Sequence, residues 1–273
     1  MRTTGATRST RTLLSAVLVA ASLGGCGTSQ WAPSASGGGT ITVFAGQALR
    51  SVFGRIGEQF HTENSTSYVA LNFGFSPYLV TELTRGAHAD VFASGNASDM
   101  DQVAHAGLLA ADPVRYATNK LAILVASGNP KKVVSFTDLN RPDLKVAVCA
   151  KEAREPGTEP VAGLPCGSAL DSIEQATGVR LPHATEVPRT EDVLQKVING
   201  DVDAGVAFAS DAALGAASVT TVPFPEAAAT IITYSIAVLK GSKNPELARR
   251  FVGFVAGQVG QSILSADGFA AVN

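Results

Sequence analysis

The stretch TITVFAGQALRSVFGRIGEQF, residues 40–60, decides how the rest of the chain is read. Ile41 to Phe44 is a short apolar run of strand length. Leu49, Val52, Phe53, Ile56 and Phe60 then recur at three- and four-residue spacing, which places them on one face of a helix. A strand that feeds directly into a helix is the repeating unit of α/β proteins. The pattern recurs downstream. Val69, Leu71 and Phe73 alternate as in a strand. Ser76-Pro77 opens a helix, with the serine expected as N-cap, and Gly86 ends it after Leu79 and Leu83. Asp90 to Ala93 reads as a strand, followed by a helix through Met100 and Val103 that stops at Gly107.

Further strands are expected at Lys120 to Val125, Val146 to Cys149, Ala204 to Phe208 and Ile231 to Leu239. Further helices are expected over Ser168 to Thr177, over Thr190 to Asn199 with Thr190 as N-cap, after Asn244-Pro245 through Leu247, Phe251 and Phe254, and around Ile263 and Leu264. Such alternation predicts an α/β chain of mostly parallel sheets flanked by helices. The apolar strands near Leu121 and Ile231 are suited to carry the chain between two lobes. Residues 40–119 with 231–273 would form lobe 1, and residues 120–230 lobe 2.

Composition narrows the function classes. The chain has 273 residues, a net charge of −2, 45% hydrophobic and only 16% charged residues. The apolar fraction excludes a disordered chain, and the absence of basic excess excludes a general nucleic-acid binder. Three cysteines are too few for a disulfide scaffold or a four-cysteine zinc site.

The start of the chain reads as an address rather than as fold. Arg2, Arg8 and Arg11 precede an apolar run from Leu13 to Leu23, the pattern of a secretory signal over residues 1–25. Leu23-Gly24-Gly25-Cys26 resembles the bacterial lipobox, which implies that Cys26 is acylated and begins the mature chain. Loss of the three arginines leaves 18 of the 21 basic side chains against 23 acidic ones. Residues 26–39 are rich in Gly, Ser, Thr and Ala and read as a flexible tether. The expected location is therefore the outer face of the cell membrane.

Several chemistries find no support. His61, His88, His105 and His183 form no close metal-ligand pair. Gly74-Phe75-Ser76-Pro77-Tyr78 starts like a nucleophile elbow, but Tyr78 stands where the second glycine belongs. No phosphate-loop glycine spacing occurs. Cys149 and Cys166 have no adjacent histidine to make a nucleophile. In an oxidising compartment a disulfide between them is the better reading, closing a loop of about 17 residues.

A family resemblance rests on Ile41-Thr42-Val43-Phe44-Ala45, Gly86-Ala87-His88-Ala89-Asp90-Val91-Phe92-Ala93-Ser94, Glu191-Asp192-Val193 and Gly205-Val206-Ala207-Phe208-Ala209-Ser210-Asp211-Ala212. Phe224-Pro225-Glu226 and Gly268-Phe269 extend it. Together they resemble the periplasmic molybdate-binding proteins of ABC transporters. The resemblance implies a two-lobed type II solute-binding fold, molybdate or tungstate in the cleft, no cofactor, no enzymatic activity, a monomer, and an ABC permease as partner.

Carried over residue by residue, the resemblance assigns oxyanion contacts to Ser76, to the backbone at Cys166 and Val193, and to the positions of Ala48 and Phe208. The last two depart from the pattern, because a serine and a tyrosine are expected there. Helix starts near Ala48, Ser76, Cys166-Gly167 and Val193 offer neutral N–H donors for such an anion. Each departure removes a hydroxyl, so a paralogue with a changed or weaker-bound ligand is the alternative. A surface serine hydrolase built on Ser76 and a histidine is a more distant one. Lys151 to Gly163 is an insertion relative to the usual family length, readable as a solvated loop or as an element that alters access or permease docking.

Overall fold

Residues 38–154 and 157–272 are described by the computed structural model. The signal, the lipobox cysteine Cys26 and most of the tether lie outside the described residues.

The chain runs β1 (Gly39–Gly46), α1 (Arg50–Glu63), β2 (Ser67–Gly74), α2 (Ser76–Thr84), β3 (Val91–Ser94), α3 (Ala97–His105), β4 (Val114–Asn119), β5 (Leu121–Ala126), β6 (Val146–Cys149), β7 (Glu152–Ala153) and β8 (Val161–Ala162). It continues through α4 (Pro165–Thr177), β9 (Thr185–Val187), α5 (Thr190–Ile198), β10 (Ala204–Phe208), α6 (Ala209–Leu214), β11 (Val219–Val222), β12 (Ile232–Val238), α7 (Pro245–Ala256) and α8 (Gln258–Ala266).

Two five-stranded sheets result, ordered β2-β1-β3-β12-β4 and β11-β5-β10-β6-β9. In the first, β1 pairs in parallel with β2 and β3, whereas β12 is antiparallel to β3 and β4. In the second, β6 is parallel to β9 and β10, whereas β5 is antiparallel to β10 and β11. The expectation of mostly parallel sheets is therefore corrected to mixed sheets. The strand–helix repeats make the parallel half. Every antiparallel pair in these two sheets involves β5 or β12, the strands on which the chain passes from one sheet to the other. Strands β4, β9 and β11 carry no clear period-2 apolar pattern and were not expected from the sequence.

The first sheet is packed on one face by α1 and α7. Phe60 meets Phe251 edge-on at 5.3 Å between ring centroids, and Phe53 lies 5.9 Å from Tyr116. Phe53, Phe60 and Phe251 are all but inaccessible, as the helical spacing of Leu49 to Phe60 requires. The second sheet buries Val146, Val148, Val206 and Ile123.

Three local expectations meet different outcomes. Asn244 does cap α7, its side chain accepting from the Leu247 amide. Ser76 is not the N-cap of α2; Phe75 is, and Ser76 is the first helical residue with its hydroxyl turned to another use. Thr190 is likewise the first residue of α5 rather than its cap, and its hydroxyl donates to Asp211 across to α6.

Candidate functional site

The carboxyl ends of β1, β3, β6 and β10 and the starts of α2, α4 and α5 converge on one cavity of about 50 Å³. It is lined by Gly46, Gln47, Ala48, Phe75, Ser76, Gly95, Cys149, Ala150, Leu164, Pro165, Cys166, Pro188, Arg189, Thr190, Glu191, Phe208 and Tyr234. Crevices at strand carboxyl ends are where open α/β sheets bind ligands. The volume holds a few waters. That suits a small ion.

The donors around it are mostly neutral; Arg189 is the one cation among the lining residues, and its Nε donates to Asp192 at 3.2 Å. β1 runs into a 3₁₀ turn, Gln47–Leu49, so the early amides of that turn have no partner within it. Ser76 is 5% exposed, and its Oγ accepts from the Gly95 amide at 3.1 Å, which leaves the hydroxyl proton free to donate. A Cβ on Gly46 would stand 2.9 Å from that Oγ, so glycine is what permits the strand end to approach the serine.

On the opposite wall, Pro165 and Cys166 start α4. Cys166 is disulfide-bonded to Cys149 at the end of β6, with Cα atoms 5.7 Å apart. The bond ties the start of α4 to the carboxyl end of a core strand.

The sequence-derived residues divide. Ala48, Ser76, Cys166 and Phe208 line the cavity together. Val193 does not. It is fully buried in the fourth position of α5, packed where a Cβ on Gly205 would collide with it. The part of α5 that reaches the cavity is its first turn, Thr190 and Glu191. None of the four histidines is among the residues that line it.

Three functional features were not read from the sequence. Glu191 puts a carboxyl on the wall, with Oε2 buried and without a hydrogen-bond partner among the described residues. Burial raises its pKa, with the Asp192 charge adding to that. Asp211 accepts from the Phe208 amide at 2.9 Å and from Thr190 Oγ1 at 3.1 Å. Burial and then the charge of Glu191 push its pKa up to about 7. Tyr234, from β12 of the first sheet, lines the cavity and is inaccessible to solvent. Its one signal in the sequence was a phenol inside a strand that was expected to be buried.

Within the 151–163 segment, β7 and β8 pair antiparallel, Glu152 opposite Ala162 and Ala153 opposite Val161. The segment reaches α2, where the Tyr78 hydroxyl donates to the Glu159 carbonyl and receives a bond from Thr158 Oγ1 at 2.6 Å.

Residues 41–270 match the family described as bacterial extracellular solute-binding protein. The molybdate-binding protein ModA of Mycobacterium tuberculosis is 47% identical over 262 residues, covering 94% of this chain and 96% of that protein. Among solved structures, the periplasmic molybdate-binding protein of Azotobacter vinelandii superposes with a TM-score of 0.68 at 16% identity, over 85% of this chain and 100% of that one. The sulfate-binding protein SubI of M. tuberculosis gives 0.67 at 18% identity, over 86% and 87%. Identities this low show the shared two-sheet fold, which is common to relatives with different named ligands.

Proposed function

We propose that this chain, which belongs to the family of bacterial extracellular solute-binding proteins, captures molybdate outside the cytoplasm and presents it to an ABC permease. The single observation that carries the ligand is the small cavity at strand carboxyl ends, ringed by helix starts and one buried serine hydroxyl. Such N–H groups hold a dianion through partial charges, and the one cation in the wall, Arg189, is already paired with Asp192. The 47% identity to a protein named for molybdate supports the same choice over sulfate.

The finer parts of the reading follow from the sequence. Tungstate, of the same shape and charge as molybdate, is expected to share the site. Acylated Cys26 would hold the protein at the outer membrane face, with residues 26–39 as the tether and no catalysis required. Residues 40–119 with 231–273 form one lobe and 120–230 the other, closing over the ion as a monomer and offering the closed form to the permease. In this scheme Ser76 and the amides near Ala48, Cys166 and Thr190–Glu191 hold the oxyanion. The Val193 side chain packs inside α5, so a contact from Val193 would run through its backbone amide, and Phe208 packs the cavity wall.

Isothermal titration with molybdate, tungstate, sulfate and phosphate tests the proposal. Binding of the first two, well ahead of the others, is the expected outcome. No heat from any of the four at millimolar concentration would overturn it.

A further inference from the structure

We infer that the Tyr234 hydroxyl is a ligand donor, replacing from the first sheet the hydroxyl that Phe208 lacks on the second. This rests on the oxyanion reading above and names a residue that neither the motifs nor the resemblance assigned.

The argument starts from an imbalance. Tyr234 is 0% exposed, and its hydroxyl has no hydrogen-bond partner among the described residues. A buried donor left unmade is costly, and native chains avoid it unless the group has another use. Its polar neighbour Asn119 favours the ionised form by facing the phenol oxygen as a donor. The Asn119 amide already donates to Ser210 at 2.8 Å, and its oxygen accepts from the Lys120 amide at 3.0 Å. Neither contact gives the phenol proton an acceptor.

The hydroxyl is also in the right place. Tyr234 lines the cavity, and its oxygen feels the carboxyls of Glu191 and Asp211, which sit at the α5 and α6 starts on the far wall. Burial and those two charges raise its pKa, so the phenol keeps its proton throughout the physiological range. A neutral phenol beside a dianion is a donor without a competing acceptor role. Phe208, 2% exposed on the same wall, offers none. A tetrahedral oxyanion entering the cavity would supply the missing acceptor.

Tyr234→Phe removes one oxygen and the donation it faces from Asn119, but no hydrogen bond made by the phenol proton. The thermal midpoint of the free variant is therefore expected to stay close to that of the wild type. Its affinity for molybdate by titration is expected to fall about 10- to 100-fold, the usual loss for a hydrogen bond to a charged group. An unchanged affinity, with the wild type binding, would overturn this inference and leave the oxyanion reading intact. Failure of the wild type to bind would overturn both.

A second measurement needs no variant at position 234. With tyrosine labelled at ¹³Cζ, the Tyr234 resonance is expected to shift on adding molybdate. Tyr68→Phe, Tyr78→Phe and Tyr116→Phe identify it by elimination among the four tyrosines. A stationary Tyr234 resonance at saturation would exclude the contact.

Discussion

Ser76 shows how one side chain can be misjudged locally and still matter. The Ser-Pro pair predicts an N-cap, yet Phe75 takes that role and the Ser76 hydroxyl bridges to Gly95. Local rules describe what a serine can do for its own helix. They do not see Gly95, which β3 brings alongside. Ser76→Ala removes the acceptor of the Gly95 amide and one donor to the cavity. Molybdate affinity is expected to fall about 10- to 100-fold by titration, through the loss of a charge-assisted hydrogen bond. An affinity within twofold of the wild type would remove Ser76 from the site.

Val193 is the opposite case. The Glu191-Asp192-Val193 motif is legible in the sequence, and its first member does reach the cavity. The side chain of its third member is core, because α5 begins at Thr190 and Val193 therefore falls a turn inside, against Gly205; only its backbone amide is left for the contact that the resemblance assigns.

Among elements, legibility tracked hydrophobic pattern. Val146–Cys149 and Ala204–Phe208 have the bounds their apolar runs suggest. The helices α1 and α7 bury the residues whose spacing is helical. By contrast, β4 and β11 owe their strand state to neighbours already in place, namely β12 and β5. The segment of β7 and β8 was seen only as an insertion; its contact with Tyr78 required the second chain segment to be placed.

The link between β6 and α4 carries a stability prediction. The Cys149–Cys166 bond spans a separation of 17 residues. The double variant Cys149→Ser, Cys166→Ser is expected to lose about 3 kcal/mol in urea unfolding, mostly by freeing the unfolded chain. A midpoint unchanged between oxidised wild type and the variant would mean that the bond contributes nothing.

At the scale of the molecule, buried acids set a pH dependence. Burial lifts Asp211 from its ordinary 3.8 to about 7. It lifts Asp99 to about 6, against the easing effect of Asn96. The folded chain thus keeps protons that the unfolded chain releases from about pH 4 upward. Stability from these two groups is complete below that point and is lost as pH rises through 6 and 7. The thermal midpoint is therefore expected to climb from pH 8 to pH 5, and Asp211→Asn is expected to flatten part of that slope. A midpoint that falls over the same interval would contradict the assignment. Asp90, whose carboxylate is held below its ordinary range by Thr42, Ser242 and Lys243, acts in the opposite sense but only below about pH 4.

The sequence by itself determined the strand–helix succession, the buried faces and the cysteine pair, because these depend on spacing among residues close along the chain. Tertiary structure alone decided which groups share the cavity. Ala48, Ser76, Cys166, Glu191, Phe208 and Tyr234 come from two sheets and from five stretches of chain before β12 adds its phenol. No local period records that meeting. It follows from β12 returning to the first sheet beside β3, which sets an unpartnered hydroxyl where the second sheet has only a phenyl ring.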